Sequence, residues 1–237
     1  MGEYLQYLSY GDAGWGDELL YGMSITVRLF VATLPLGLVL GFLIALAKRS
    51  DKKWLSIPAN IYTTIFRGVP ELLTLFIVFY GGQIFIQMVV EFFVDDVIVD
   101  VSAFLAGMIA LGFVFSAYAS ETFLSALNAV PQGQAEAARA MGMSWFRTMQ
   151  KVVFPQVIRH ALPGLSNLTL ILQKETALVS ILALDEVLRQ TQIAVGNTKE
   201  PIFFYAIACG LFILLAFLTS IAFKKIEVWS SRGQERA

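Results

Sequence analysis

The chain is poor in the residues from which catalytic and metal centres are built. Its 237 residues include one histidine, His160, and one cysteine, Cys209. A lone cysteine excludes a disulfide framework within the chain, and its place inside an apolar run suits a small core-filling side chain. No Cys/His cluster has metal-ligand spacing, and neither H-E-x-x-H nor G-x-S-x-G occurs. A phosphate-cradling G-x-x-x-x-G-K-[ST] loop is missing as well, so any ATP that is used must be bound by another chain. Only 15% of the residues are charged and the net charge is -1, which leaves no bulk field to attract nucleic acid. The first basic residue is Arg28, so a positively charged leader is lacking and no cleavable signal peptide is expected. The start is acidic instead, with Glu3, Asp12, Asp17 and Glu18.

What the chain has in abundance is apolar surface. Hydrophobic residues make up 57%, and the mean hydropathy of +0.69 places the chain in a bilayer. Five apolar segments near 20–47, 64–90, 102–127, 161–184 and 201–224 each reach the roughly 20 residues needed to cross ~30 Å of hydrocarbon. The expected fold is therefore an all-α integral membrane protein with five transmembrane helices. Lys48, Arg49, Lys52 and Lys53 follow the first span, Arg139, Arg147, Lys151 and Arg159 follow the third, and Lys224, Lys225, Arg232 and Arg236 follow the fifth. The opposite side has Arg189 and Lys199 in its loops and the acids Glu91, Asp95, Asp96 and Asp100. Basic loops stay inside, so the N-terminus is expected outside and the C-terminus inside.

Several polar residues interrupt the spans. Gly37 and Gly41 have the G-x-x-x-G spacing that lets two helices approach closely. In Arg67-Gly68-Val69-Pro70-Glu71, Arg67 and Glu71 pair at i,i+4 if the turn is helical, whereas Gly68 and Pro70 favour a broken start. Glu121 in the third span is costly in hydrocarbon, by roughly 2.5–3.5 kcal/mol on insertion scales, so it must face a cavity or a partner. Its helical face runs on through Tyr118, Ala117 and Val114; the alternative is that Glu121 pairs with a basic residue and locks helices together. The fourth span is expected to break at Pro163-Gly164 and carries Asn167, Gln173, Lys174, Glu175 and Thr176. Lys174 either balances Glu121 or meets a solute carboxylate. His160 is expected at the surface.

Between the third and fourth spans lies a polar island, Pro131 to Pro163. Gln134 to Met141 are good helix formers, and Gly142 is expected to stop the helix with positive φ. A second helix is expected from Ser144, an N-cap type residue, to the residue before Pro155. Ala135, Ala137, Ala138 and Ala140 leave the first helix so little bulk that another surface can approach its backbone. Such a stretch is either a solvated loop or a plug shaped for a socket.

The run Glu136-Ala137-Ala138-x-x-x-Gly142, followed after nine residues by Val152, Phe154 and Pro155, resembles the EAA loop of ABC importer permeases. Val152 and Phe154 replace the commonest Ile and Leu of that motif. Arg67-Gly68-Val69-Pro70-Glu71-Leu72 resembles the R-G-x-P segment of polar amino acid permeases, particularly Q-type subunits of basic amino acid and opine importers. Ala117-Tyr118-Ala119-Ser120-Glu121 is similar to their third-helix motif, and Lys174-Glu175-Thr176-Ala177-Leu178-Val179-Ser180 to K-D-T-S-L-V-S, with Glu for Asp and Ala for Ser.

The resemblance covers about residues 20–225 and implies type I ABC importer permease (MetI-like) architecture in a bacterial inner membrane. It implies a periplasmic segment at 1–19, a transmembrane domain at 20–225 with its coupling loop at 131–155, and a cytoplasmic tail at 226–237. The activity it implies is import of basic amino acids or opines, with neutral polar amino acids such as glutamine as the alternative and an ion-coupled secondary transporter further off. No catalytic residue or metal is implied for this chain. The implied partners are a homologous M-type permease, two ATP-binding subunits that use ATP and Mg, and a periplasmic solute-binding protein. Glu121, Ala117, Val114, Tyr118 and Lys174 are implied in the solute path, and Glu136, Ala137, Ala138, Arg139, Met141 and Gly142 in ATPase coupling. Arg67, Gly68, Pro70, Glu71, Pro155 and Pro163 are implied in gating or in shaping the motifs.

Overall fold

The computed structural model describes residues 6–11, 14–93 and 100–231. The expectations placed on Glu3, Asp12, Asp95, Asp96, Arg232 and Arg236 lie outside the described residues. Helix α1 covers Gly16–Lys48 and α2 Lys53–Gly68; α3, Glu71–Phe76, passes through a π turn at Ile77–Gly81 into α4, Gly82–Glu91. Helix α5 is Ala103–Ala129 and α6 Gln132–Ala140. Helix α7, Trp145–Thr148, runs through a second π turn at Met149–Val153 into α8, Phe154–Glu175, which tightens to a 3₁₀ segment at Thr176–Leu182. Helices α9, Val187–Thr198, and α10, Pro201–Ser231, complete the described chain. Among the described residues, four spans are long and apolar enough to cross a membrane: α1, α3 with α4, α5 and α10. A fifth arises if Trp145–Leu182 and α9, which meet at a 52° bend, are taken as one.

Three boundaries differ from expectation. The second span begins at Glu71 rather than near residue 64, because the chain breaks at Gly68-Val69-Pro70 and the preceding residues form the separate helix α2. Arg67 and Glu71 therefore do not share a helix, and Arg67 turns to Glu121. The helix after Ser144 does not stop before Pro155. The π turn shifts the hydrogen-bond register, with the Phe154 N–H reaching the Met149 carbonyl, and places Pro155 in the first turn of α8, where its missing N–H matters little. Nor does Pro163-Gly164 break the fourth span, since α8 continues through both to Glu175. Proline is tolerated inside membrane helices, and Gly164 serves close packing: a Cβ there would stand 2.7 Å from Thr122 Cγ2 of α5.

The chain divides into two compact units. One comprises the described residues of 1–35 together with 69–112 and 171–217. Its core joins Leu19, Ala194 and Phe204, with Tyr7, Trp15 and Leu211 packed against them. Here α9 starts on α1: Glu186 accepts the Arg189 N–H at 2.9 Å as N-cap and meets Thr26 Oγ1 at 3.4 Å, and a Cβ on Gly22 would lie 2.9 Å from the Glu186 carbonyl carbon. Phe204, Ala208 and Leu215 give α10 its buried stripe at helical spacing, and Cys209 falls on the opposite side. Cys209 is thus exposed rather than core filler.

The other unit comprises 36–68, 113–170 and the described residues of 218–237. Gly37 and Gly41 lie against α5, as the G-x-x-x-G spacing predicts. A Cβ on Gly37 would clash with the Phe115 ring, and one on Gly41 would lie 2.9 Å from Ala119 Cβ and 3.0 Å from the Ser116 carbonyl oxygen. Phe42 packs edge-on against Phe123 and Phe154, both at 5.3 Å between ring centres. Tyr62 anchors α2 to α5 by donating to the Phe113 carbonyl at 3.1 Å and sharing a 2.8 Å hydrogen bond with Ser116.

Candidate functional site

Two arrangements in the second unit carry the sequence motifs. The first is the loop after α5. Helix α6 ends in a paired carbonyl cap: Gly142 at φ +82° donates to the Arg139 carbonyl at 2.9 Å, and Met143 to the Ala138 carbonyl at 3.1 Å. Ser144 then caps α7, accepting from the Arg147 N–H at 3.4 Å. Ala138 is buried and ties the helix to its own unit, whereas Glu136, Ala137, Arg139, Met141 and Gly142 are exposed. Met141, Trp145 and Phe146 are respectively 74, 56 and 67% exposed, an apolar set that a soluble surface does not ordinarily leave open. A cavity of about 720 Å³ separates α6 from the end of α1, with Arg49, Asp51, Glu136, Arg139 and Trp145 in its wall. Gln134 bonds Gln156 at 3.1 Å, and Pro155 itself is exposed.

The second arrangement surrounds Glu121. Its Oε1 accepts from Lys48 Nζ at 2.6 Å and from Arg67 Nη1 at 3.0 Å. Lys48 also donates to Thr63 Oγ1 at 3.1 Å and is only 6% exposed, while Arg67 is 45% and Glu121 34% exposed. The Arg67 guanidinium lies 5.6 Å from the centre of the Tyr118 ring. By sequence Lys48 only follows the first span; the last turn of an uninterrupted α1 is what places it here. Val114 and Ala117 are fully buried, and Tyr118 is half-buried. Gly68 ends α2, and Pro70 precedes α3 with an extended ψ of 137°.

In the first unit, Lys174 is exposed at the end of α8 beside the half-buried Glu175. Glu175 also interacts electrostatically with Glu71, an acid pair that sequence reading did not bring together. Pro163 lies within α8, and His160 is exposed as expected.

A short polar helix between apolar spans, ended by Gly142 at positive φ, is what the sequence of the 131–142 stretch predicts. Residues 37–227 match the family of binding-protein-dependent transport system inner membrane components. The chain belongs to this family. It is 38% identical over 98% of its length to the octopine transport system permease protein OccQ of Rhizobium meliloti, covering 98% of that protein. It is 40% identical over 87% of its length to the histidine/lysine/arginine/ornithine transport system permease protein HisQ of Salmonella typhimurium, covering 89% of it. A crystal structure of an amino acid ABC transporter with histidines has a chain that superposes with a TM-score of 0.75 at 29% identity, over 90% of this chain and 94% of that one. An inward-facing MetNI methionine ABC transporter shares the fold at 18% identity, with a TM-score of 0.71 over 90% of this chain and 96% of that one. The family member described here is thus a multi-pass inner-membrane permease subunit of an ABC importer, a transport component rather than an enzyme, that works with an ATPase and a binding protein.

Proposed function

We propose that this permease carries basic amino acids or opines inward. The observation that supports this reading is the near full-length similarity to permeases named for octopine, nopaline and histidine/lysine/arginine/ornithine transport. It pairs with an M-type permease, and two ATPase subunits that use ATP and Mg serve the pair. The N-terminus with residues 1–19 lies outside, and the tail from residue 226 lies inside. Residues 20–225 form the transmembrane domain. Helix α6 with Gly142 is the coupling helix of the 131–155 loop, seated in a groove of the ATPase. Nucleotide-driven approach of the two ATPases moves the seated helices and so shifts the permease between inward-open and outward-open arrangements, through its different affinity for the two.

Glu121 offers negative charge to a cationic solute, with Tyr118, Ala117 and Val114 on the same helical face and Lys174 as the cation for a solute carboxylate. A second locus is favoured by the Glu71–Glu175 pair, in which two acids lie close enough to interact, with Lys174 beside them. Uptake of arginine, histidine, octopine, nopaline and glutamine by the reconstituted complex tests the reading, with Glu121→Gln and Glu175→Gln alongside wild type. ATP-dependent entry of the cationic solutes, lost selectively in one variant, supports it and assigns the locus. Equal entry of glutamine into wild type and both variants places selectivity outside the membrane, and entry without ATP points to an ion-coupled carrier.

A further inference from the structure

Glu121 holds two cations of different standing. Lys48 is buried, has a second acceptor in Thr63, and neutralises the carboxylate by itself. Arg67 is therefore not required for charge balance, yet it sits on Glu121 at 3.0 Å and against the Tyr118 ring at 5.6 Å. A carboxylate with an aromatic face beside it is the set of contacts that selects a guanidinium. Arg67 is also placed to leave. It is the penultimate residue of α2, its side chain is 45% exposed, and its withdrawal leaves Glu121 still paired with Lys48. Gly68, the next residue, has nothing within 4 Å of where its Cβ would be, so no packed side chain pins the joint.

We propose that Arg67 is a resident stand-in for the cationic head of the solute. The seat formed by Glu121 and Tyr118 accepts a solute guanidinium or ammonium by exchange with Arg67, while Lys48 stays in place. This rests on the reading of Glu121 as part of the solute path and adds the residue that sets its selectivity. Exchange of like for like never exposes an unpaired acid in the membrane. A neutral solute gains nothing from it, because it cannot replace the guanidinium. Occupancy by Arg67 also weakens apparent affinity: if Arg67 fills the seat nine-tenths of the time, a competing cation binds about tenfold more weakly than to an empty seat.

The test uses the purified permease–ATPase complex in lipid nanodiscs without binding protein, so that selectivity measured is that of the membrane path. Labelled arginine is the probe, and citrulline, with a neutral urea in place of the guanidinium, is the control. Arg67→Ala should bind arginine about tenfold more tightly than wild type, with citrulline binding unchanged, and Tyr118→Leu in the same background should remove most of the gain. If Arg67→Ala assembles and binds arginine no more tightly than wild type while Glu121→Gln weakens binding, the stand-in role is overturned and Glu121 keeps its place in the path. If Glu121→Gln leaves arginine binding unchanged in both backgrounds, the path reading itself fails and takes the inference with it. Should Arg67→Ala not assemble, Arg67→Lys decides, since it keeps a cation but loses the flat stacking face. A two- to threefold gain in arginine affinity supports the proposal (an expectation of about that order), and equal or weaker binding overturns it.

Discussion

Gly142 and Gly41 are both glycines in helical surroundings, and they are there for opposite reasons. Gly142 has φ +82° and nothing within 4 Å of its missing Cβ, so the backbone alone demands it. Gly142→Ala should cost about 1–2 kcal/mol through the left-handed conformation, while Gly142→Asn, which tolerates that region, should cost less; thermal unfolding of the detergent-purified complex distinguishes them. Gly41 has ordinary backbone angles but no room, with Ala119 Cβ and the Ser116 carbonyl oxygen at 2.9 and 3.0 Å. Gly41→Val should destabilise the packing of α1 on α5 by about 1–3 kcal/mol, read by the same measurement. The positive φ at Gly142 was legible in the sequence because it ends a run of good helix formers. The G-x-x-x-G spacing was legible too, but its partner α5 was not, since spacing names one face and not the face it meets.

Among the elements, α6 is the one on which coupling turns in the proposed reading. Ala138 is buried, and Glu136, Arg139 and Met141 are exposed, so a charge reversal at Glu136 changes the surface and not the fold. Glu136→Lys should leave expression and membrane insertion as in wild type and abolish stimulation of ATP hydrolysis by loaded binding protein. Unchanged stimulation in the assembled complex refutes the docking role. Helix α9 is an element the sequence did not announce. Its N-cap is a glutamate, which is less common there than Ser, Thr, Asp or Asn, and the cap is completed by Thr26, 160 residues away. Glu186→Ala should cost about 1–2 kcal/mol of stability, and Glu186→Asp, with a shorter reach to the Arg189 N–H, should recover part of it. Helix α2 has Trp54, Ile57, Ile61 and Ile65 at helical spacing, but these are exposed and its buried positions are the small Ala59 and Thr63, so the face it packs on is not the one its apolar stripe marks.

At the scale of the whole molecule, the chain carries no nucleotide site that its sequence reveals, and on the proposed reading its movement is driven from outside. Chelation of Mg in proteoliposomes should therefore stop uptake while the permease stays folded by circular dichroism, and restored Mg should restore uptake; transport that persists under chelation refutes ATP coupling. The amino-acid sequence by itself determined that the chain is helical and lies in a bilayer, because long apolar runs and scarce charge leave no other way to satisfy the backbone. It determined the helix–turn–helix form of the 132–148 stretch as well, where helix formers, a positive-φ glycine and an N-cap act over a few neighbouring residues. Only the tertiary structure decided which cations meet Glu121. That choice depends on α1 running unbroken to Lys48 and on α2 ending at Gly68, so that residues 73 and 54 positions away from Glu121 converge on one oxygen. Electrostatic partners across such separations are set by helix packing, which the order of residues does not display.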